Sequence, residues 1–144
     1  IPGGAGRFPL SPFSNGTVLS VTGDEASIGI TQIIFTDTTD AFYTSSGPGG
    51  NGSFGRLTIN NATNTAHTTR LISNFPSAHG ATFDPFTGDI FTFGDENISQ
   101  IDPSNPSVVK ADLRVDHQNF DQGTVDGNGH ALVASNLGSL VFLD

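Results

Sequence analysis

The fold of this chain is decided by one stretch, Ala81-Thr82-Phe83-Asp84-Pro85-Phe86-Thr87-Gly88-Asp89-Ile90-Phe91-Thr92-Phe93. Apolar and polar residues alternate on both sides of an Asp-led turn, which is the pattern of two antiparallel strands. A second copy of the pattern spans residues 123–134, and a weaker copy spans residues 32–44. Each copy is followed by a further apolar stretch, so the chain repeats a unit made of several strands.

The copies recur at the period of a β-propeller blade. Asp40, Asp89 and His130 hold equivalent places in the three copies and lie 49 and 41 residues apart. Repeats of about 40–50 residues are typical of blades, each of which is a four-stranded antiparallel sheet. The pattern therefore predicts an all-β chain with three four-stranded propeller-type blades and almost no helix. We expect strands near residues 17–22, 29–36, 40–46, 54–60, 67–73, 79–84, 89–94, 98–102, 107–113, 121–125, 130–135 and 139–143.

The repeats divide the chain into an arm and three units. Residues 1–27 are predicted to form a Gly/Pro-rich arm with one strand, and the units are 28–76, 77–117 and 118–144. The last unit has three strands, so we expect the strand at 17–22 to supply its missing outer strand, because such pairing removes a free edge. Propeller rings hold typically about 4–8 blades. The chain is therefore a fragment, or completes a ring with another copy, or adds subunits end to end.

Composition limits the classes of partner. The 14 acidic and 5 basic residues give a net charge of −9, which disfavours nucleic acid and anionic membranes and is compatible with bound cations. The chain has no Cys, hence no disulfide and no thiol nucleophile, and no apolar run long enough to predict a membrane span. It contains no Met and begins at Ile1, so we expect that an initiator has been removed and that the protein is exported.

Three phrases carry a family resemblance: His79–Asp89, Ile98–Pro103 and Phe120–His130. They are similar to propeller repeats of the NHL/SMP-30-like kind, particularly those of exported bacterial proteins with a C-terminal sorting signal of the PEP-CTERM type. The resemblance covers roughly residues 28–144 and implies an extracellular or cell-surface protein. A Pro-Glu-Pro, an apolar span and a basic tail are missing from the sequence, so the resemblance also implies a natural chain that continues past Asp144.

The repeat alignment gathers polar residues at the starts of the innermost predicted strands. His79, Asp121 and Gln122 stand at these starts, and Gln32 follows the equivalent place in the first unit. In a propeller these strand starts surround the channel mouth, where ligand sites collect. A His/Asp pair can hold a divalent cation or move a proton. We predict these four residues as binding residues, and the alternative is a polar channel lining.

Acidic loop residues are candidate calcium ligands. Asp95 and Glu96 lie in a predicted hairpin loop, and together with Asp121 they make up the predicted metal ligands, with calcium as the ion. The alternative interpretation is a solvated loop, which is also the interpretation for Asp24 and Glu25. No catalytic residue is predicted, because no zinc helix, nucleophile elbow or phosphate-binding loop occurs.

One further acidic loop is predicted to be structural. Asp126-Gly127-Asn128-Gly129-His130 resembles the start of a Ca²⁺ loop, but the twelfth position is Leu137 instead of a carboxylate. An Asn-Gly step favours a tight turn with positive φ. We therefore expect a turn between two strands.

The sequence predicts a function in assembly. We expect an exported structural or binding module without catalysis, whose neighbouring copies cover the terminal sheets and make a homo-oligomer. The alternative is a hydrolase or lyase of the SMP-30-like class, with a divalent metal held at the channel mouth by His79 and Asp121.

Overall fold

The computed structural model describes residues 18–37, 40–47 and 51–144. These residues form twelve strands in three sheets and contain no helix, so the prediction of an all-β chain with twelve strands is confirmed. Among them, no helix has the length and apolarity needed to cross a bilayer. The predicted arm at residues 1–16, and Thr17 of the first predicted strand, lie outside the described residues.

The strand bounds follow the alternation of the sequence closely. The strands are β1 (Ser20–Gly23), β2 (Ile30–Phe35), β3 (Ala41–Ser45), β4 (Ser53–Asn60), β5 (Thr65–Ser73), β6 (Gly80–Asp84), β7 (Asp89–Gly94), β8 (Asn97–Ile101), β9 (Val109–Arg114), β10 (Phe120–Val125), β11 (Ala131–Ser135) and β12 (Leu140–Leu143).

The strands pair in sequence order within each sheet, apart from β1. The first sheet has the order β1-β5-β4-β3-β2, the second β6-β7-β8-β9 and the third β10-β11-β12. All pairs are antiparallel except that β1 runs parallel to β5. The described strands do not close into a ring.

The placement of β1 corrects one prediction. The strand near residues 17–22 does not complete the third sheet, because β1 pairs with β5 of the first sheet, with Val21 opposite Ala66. Its neighbour Leu19 packs against the buried cluster of Ala41, Tyr43, Leu57 and Ala66 on the same sheet. The alternation of apolar and polar residues predicts that this segment forms a strand but not which sheet edge it joins. Here β1 pairs with the otherwise free edge strand β5.

The sheets pack face to face through their first strands. β2 lies against β6, and β6 lies against β10. Between the first two sheets the core contains Phe42 and Phe54, whose rings stack with centroids 5.6 Å apart. Between the second and third sheets Phe93 packs with Val133, and both are fully buried. Burying one such side chain stabilises a fold by about 1.5–3 kcal/mol, so these two layers dominate the folding energy.

Gly123 brings the third sheet close to the second. A Cβ placed on Gly123 would lie 2.6 Å from Cζ of Phe93, which is closer than any real Cβ contact. Gly123 therefore faces the second sheet. Because side chains alternate along a strand, Thr124 points to the opposite face of β10.

Asp-led turns join the first two strands of the second and third sheets, as predicted. Asp84 accepts hydrogen bonds from the backbone N–H groups of Phe86 and Thr87, both at 3.1 Å. Asp126 accepts one from the backbone N–H of Asn128 at 2.7 Å. Gly127 and Gly129 have φ of 75° and 100° there, which explains why glycine occupies both places.

Candidate functional site

The structure brings His79 and Asp121 together at one end of the inner strands. His79 immediately precedes β6, and Asp121 is the second residue of β10. The backbone N–H of His79 donates to Phe93 at 2.8 Å, and its carbonyl accepts from the hydroxyl of Thr44 at 3.3 Å. A Cβ on Gly80 would overlap the carbonyl oxygen of Asp121, so glycine permits this close approach. We call this end, where β2, β6 and β10 begin, the mouth.

The His79–Asp121 pair is separated by more than a hydrogen bond. His79 Nδ1 lies 3.9 Å from Asp121 Oδ1, and the two side chains are 46% and 48% exposed. A direct hydrogen bond of this kind is about 2.7–3.2 Å long, whereas a water can bridge a larger gap. The two side chains are therefore close and accessible to solvent, without a direct hydrogen bond between them.

The two glutamines predicted for the same site are placed differently. Gln122 Oε1 lies 3.0 Å from the position that a Cβ on Gly80 would take, so it is beside His79 at the mouth. The amide of Gln32 donates a long 3.5 Å hydrogen bond to the carbonyl of Ile33 on its own strand. Among the described hydrogen bonds, none joins Gln32 to His79 or Asp121.

A polar depression of about 230 Å³ lies next to the mouth. It is formed by the connections between β3 and β4, between β5 and β6, and between β7 and β8, and its lining includes Ser45, Asn74, His79 and Asp95. Asp95 has a φ of 45°, and its carbonyl accepts a 2.7 Å hydrogen bond from the backbone N–H of Phe120. His79 thus separates this depression from Asp121.

The three predicted metal ligands do not assemble in the described part of the chain. Glu96 accepts hydrogen bonds from Nε of Arg114 at 3.0 Å, from Nη2 of Arg114 at 2.5 Å and from the backbone N–H of His117 at 2.9 Å. The bonds from His117 and Arg114 hold the pKa of Glu96 below its usual value. Within the described ranges no three His, Asp or Glu side chains lie together as a metal site would require. Calcium therefore stays a prediction.

Sequence reasoning missed a buried carboxylate, Glu25. We predicted a solvated loop there, and this is wrong: Glu25 is fully buried. Its Oε1 accepts hydrogen bonds from Nε of Arg70 and from the hydroxyl of Ser53, both at 2.8 Å, and a longer one of 3.4 Å from the hydroxyl of Tyr43. Its Oε2 has no hydrogen-bond partner among the described residues. No local pattern signals this cluster, because Arg70 lies 45 residues away.

The groups around Glu25 offset the effect of burial on its pKa. Burial alone would raise the pKa of Glu25, but the hydrogen bonds from Arg70 and Ser53 outweigh it and leave the pKa below its ordinary value. Burial and the Glu25 charge together raise the pKa of Tyr43. Arg70 also donates its backbone N–H to Asp24 at 2.7 Å. The bonds of Arg70 to Asp24 and Glu25 thus hold the segment between β1 and β2 against the outer face of the first sheet.

A second His/Asp pair lies at the opposite end of the inner strands. Asp126 Oδ2 is 2.7 Å from His130 Nδ1, and His130 Nε2 is 3.5 Å from Asp144. The hydrogen bond to Asp126 raises the pKa of His130 and lowers that of Asp126. The imidazole stacks on the ring of Phe142 with centroids 5.6 Å apart. This pair closes the turn between β10 and β11.

The outer face of the third sheet is apolar and uncovered. Leu132, Leu140 and Phe142 are 42%, 67% and 64% exposed. Leu132 is paired with Phe142, and Ala134 with Leu140, so all four project on the same side. We call this side, completed by Thr124 of β10, the open face. The residues that define it are uncharged, and the pair of His130 and Asp126 lies at its margin, where the imidazole stacks on Phe142.

Comparison with known proteins gives a likeness of fold to solved structures and no matching family model. No family model matches the chain, and no curated protein matches it. The structure is similar to that of a luciferin-regenerating enzyme, with a TM-score of 0.58 and 14% sequence identity over 74% of this chain. The chain spans only 37% of the length of that enzyme. At this identity the likeness concerns the fold alone.

Proposed function

We propose that the three sheets are blades of a β-propeller and that the chain is an exported structural or binding module. It acts without catalysis and assembles through its sheet surfaces. The adjacency of β2, β6 and β10 supports the blade interpretation, because neighbouring blades of a propeller meet through their innermost strands. The sequential strand order within the second and third sheets supports it further.

The open face is the single observation that carries this function. Leu132 and Leu140 occupy the same places in the third sheet as Phe91 and Ile98 do in the second. In the second sheet that side is buried under the third sheet, where Ile98 is only 4% exposed. An apolar sheet side built for contact, which no described residue covers, marks an interaction surface. The export of the module and its location at the cell surface rest on the sequence.

A charge placed on the open face tests this function. We expect Leu140→Asp to abolish self-association or partner binding, measured as molar mass by light scattering after size exclusion. Leu137→Asp is the matched control, because Leu137 has nearly the same exposure, 66% against 67%, but lies in the turn before β12. Equal molar masses for both variants and the unaltered chain would contradict the proposal.

A second candidate function is a metal-dependent hydrolase or lyase. It is favoured by the 3.9 Å approach of His79 to Asp121 at the mouth. A His nitrogen and a carboxylate oxygen can share a divalent ion, with water filling the remaining positions. Titration calorimetry with Ca²⁺, Mn²⁺ and Zn²⁺ distinguishes the two functions. Binding that is lost in both His79→Ala and Asp121→Asn favours the enzyme, and no binding favours the assembly module.

A further inference from the structure

We propose that the occupant of the open face is the first sheet of a second copy of this chain, in a head-to-tail contact. This inference rests on the proposed function and names its partner. The contact joins the open face of one copy to Ile33 and Phe35 on β2 of the other. We call these two residues the β2 strip.

The first step compares the open face with a side whose partner is known. In the second sheet, Phe91, Phe93 and Ile98 form the side that packs on the third sheet, against Val133. The corresponding places in the third sheet belong to Leu132, Ala134 and Leu140. The open face therefore repeats, in position and apolar character, a side that takes another sheet of the same kind.

The second step finds the complementary side within the same chain. The second sheet meets the first through Ala81 and Phe83 on β6. Ile33 and Phe35 hold the same positions on β2 as Ala81 and Phe83 hold on β6, counted back from the turn that ends each strand. The pairing agrees, because Phe35 lies opposite Ala41 on the next strand as Phe83 lies opposite Ile90. Both face away from the second sheet.

The third step is the exposure of the β2 strip. Ile33 and Phe35 are 44% and 41% exposed. Further across the same side of the sheet, Tyr43 is fully buried and Leu57 is 4% exposed, because the segment containing Leu19 and Glu25 covers them. The part left accessible is thus on the first strand, which is the strand through which neighbouring sheets meet in this fold.

The fourth step is the symmetry of the contact. The two complementary sides lie at opposite ends of a three-sheet stack, so each copy offers both halves of the contact. Such a heterologous contact closes into a ring when the rotation allows it and otherwise gives a filament. The residues that define the open face and the β2 strip are uncharged, and His130 with its partner Asp126 lies at the margin of the open face against Phe142. The centre of the contact between two copies is therefore apolar, although each copy has a charge of −9.

Complementation between variants tests the head-to-tail contact. Leu140→Asp disables the open face and Phe35→Asp disables the β2 strip, so each variant alone should sediment as a monomer of 15.0 kDa. An equimolar mixture retains one intact contact and should give a 1:1 pair of twice that mass. Leu137→Asp should assemble as the unaltered chain does. Circular dichroism and thermal unfolding verify that each variant is folded.

Cross-linking gives a second measurement that does not depend on charged substitutions. The chain has no Cys, so single replacements provide unique thiols. A short bis-maleimide should link Leu140→Cys to Phe35→Cys in a mixture, and neither variant to itself. Leu137→Cys should not link to Phe35→Cys.

The outcomes separate this inference from the function on which it rests. The unaltered chain should be measured at about 100 µM, a concentration at which an interface with a Kd in the micromolar range is largely occupied. If the chain is still a monomer there, both the proposed function and the head-to-tail contact are overturned. Assembly that Leu140→Asp abolishes but Phe35→Asp leaves intact would overturn the head-to-tail contact alone. Self-linking of Leu140→Cys would do the same, since it would mean that two open faces meet each other.

Discussion

Replacement of Arg70 by Met should destabilise the protein strongly. The side chain of Met fills much of the space of the Arg70 stem but cannot donate the 2.8 Å hydrogen bond to Glu25. Glu25 is fully buried and its Oε2 has no hydrogen-bond partner among the described residues, so the variant would keep a buried carboxylate held only by neutral hydroxyl groups such as those of Ser53 and Tyr43. The structure thus predicts that replacing Arg70, on β5, lowers the free energy of unfolding by a large amount.

The magnitude follows from the burial of the carboxylate. Removing one partner of a buried ion pair costs about 3–5 kcal/mol, whereas removing an exposed pair costs about 0–1 kcal/mol. Native domains are stable by only about 5–15 kcal/mol, so the loss is a large part of the total. For a chain of this size it corresponds to a fall in Tm of about 9–15 °C.

The assay is thermal and urea unfolding with a matched control. Tyr43 is the only tyrosine and the chain has no Trp, so its fluorescence reports directly on the first sheet. Arg56→Met removes an ion pair of similar length, 2.7 Å to Asp40, whose side chains are 41% and 44% exposed. We expect a Tm change of no more than about 3 °C for this control.

The pH dependence gives the prediction a second signature. The folded-state pKa of Glu25 is lowered, so its contribution to stability is present above the ordinary value of 4.5 and is lost as pH falls through the folded pKa. In Arg70→Met the largest contribution that opposes burial is lost, so the pKa of Glu25 should rise and protonation should relieve the variant. The stability gap between the two proteins should therefore be widest near pH 7 and narrow below pH 4.5. A gap below 1 kcal/mol at pH 7, or one that widens on acidification, would refute the reasoning about Glu25.

Further predictions concern titration, packing and assembly. Tyr43 should not ionise near its ordinary pKa of 10.0 while the protein is folded, because burial and Glu25 raise its pKa, and absorbance at alkaline pH checks this. Gly123→Ala should destabilise the fold by about 1–3 kcal/mol in urea unfolding through overpacking, whereas Gly29→Ala, which meets no atom within 4 Å, should be close to neutral. Asp126→Asn should lower the pKa of His130 in an NMR titration, and an unchanged value would exclude their 2.7 Å hydrogen bond. Self-association should strengthen as salt is raised, because salt screens the repulsion between copies of charge −9, and sedimentation at several ionic strengths measures it.

Much of the fold could be predicted because alternation and turn chemistry are local signals. The strand predicted near 89–94 is β7, Asp89–Gly94, and the strand predicted near 121–125 is β10, Phe120–Val125. Apolar residues two apart must face the same side of a sheet, and the Asp-led turns set where each strand ends. Both signals are contained within about fifteen residues of sequence.

Contacts between distant residues could be predicted only where the repeat supplied an alignment. The repeat placed His79 and Asp121 at equivalent strand starts, and they lie 3.9 Å apart. The pairing of β1 with β5, and the ion pair of Glu25 with Arg70, lie outside the repeat. Nothing local distinguishes a Glu that meets an Arg 45 residues later from a Glu that meets water.

The central claim is that the open face of the third sheet is built to be covered by another sheet. Sedimentation velocity of the unaltered chain over a range of concentrations, in a buffer of moderate salt, tests it most directly. The account predicts a species that shifts from 15.0 kDa towards multiples of this mass as concentration rises. A single 15.0 kDa species at every concentration would contradict it.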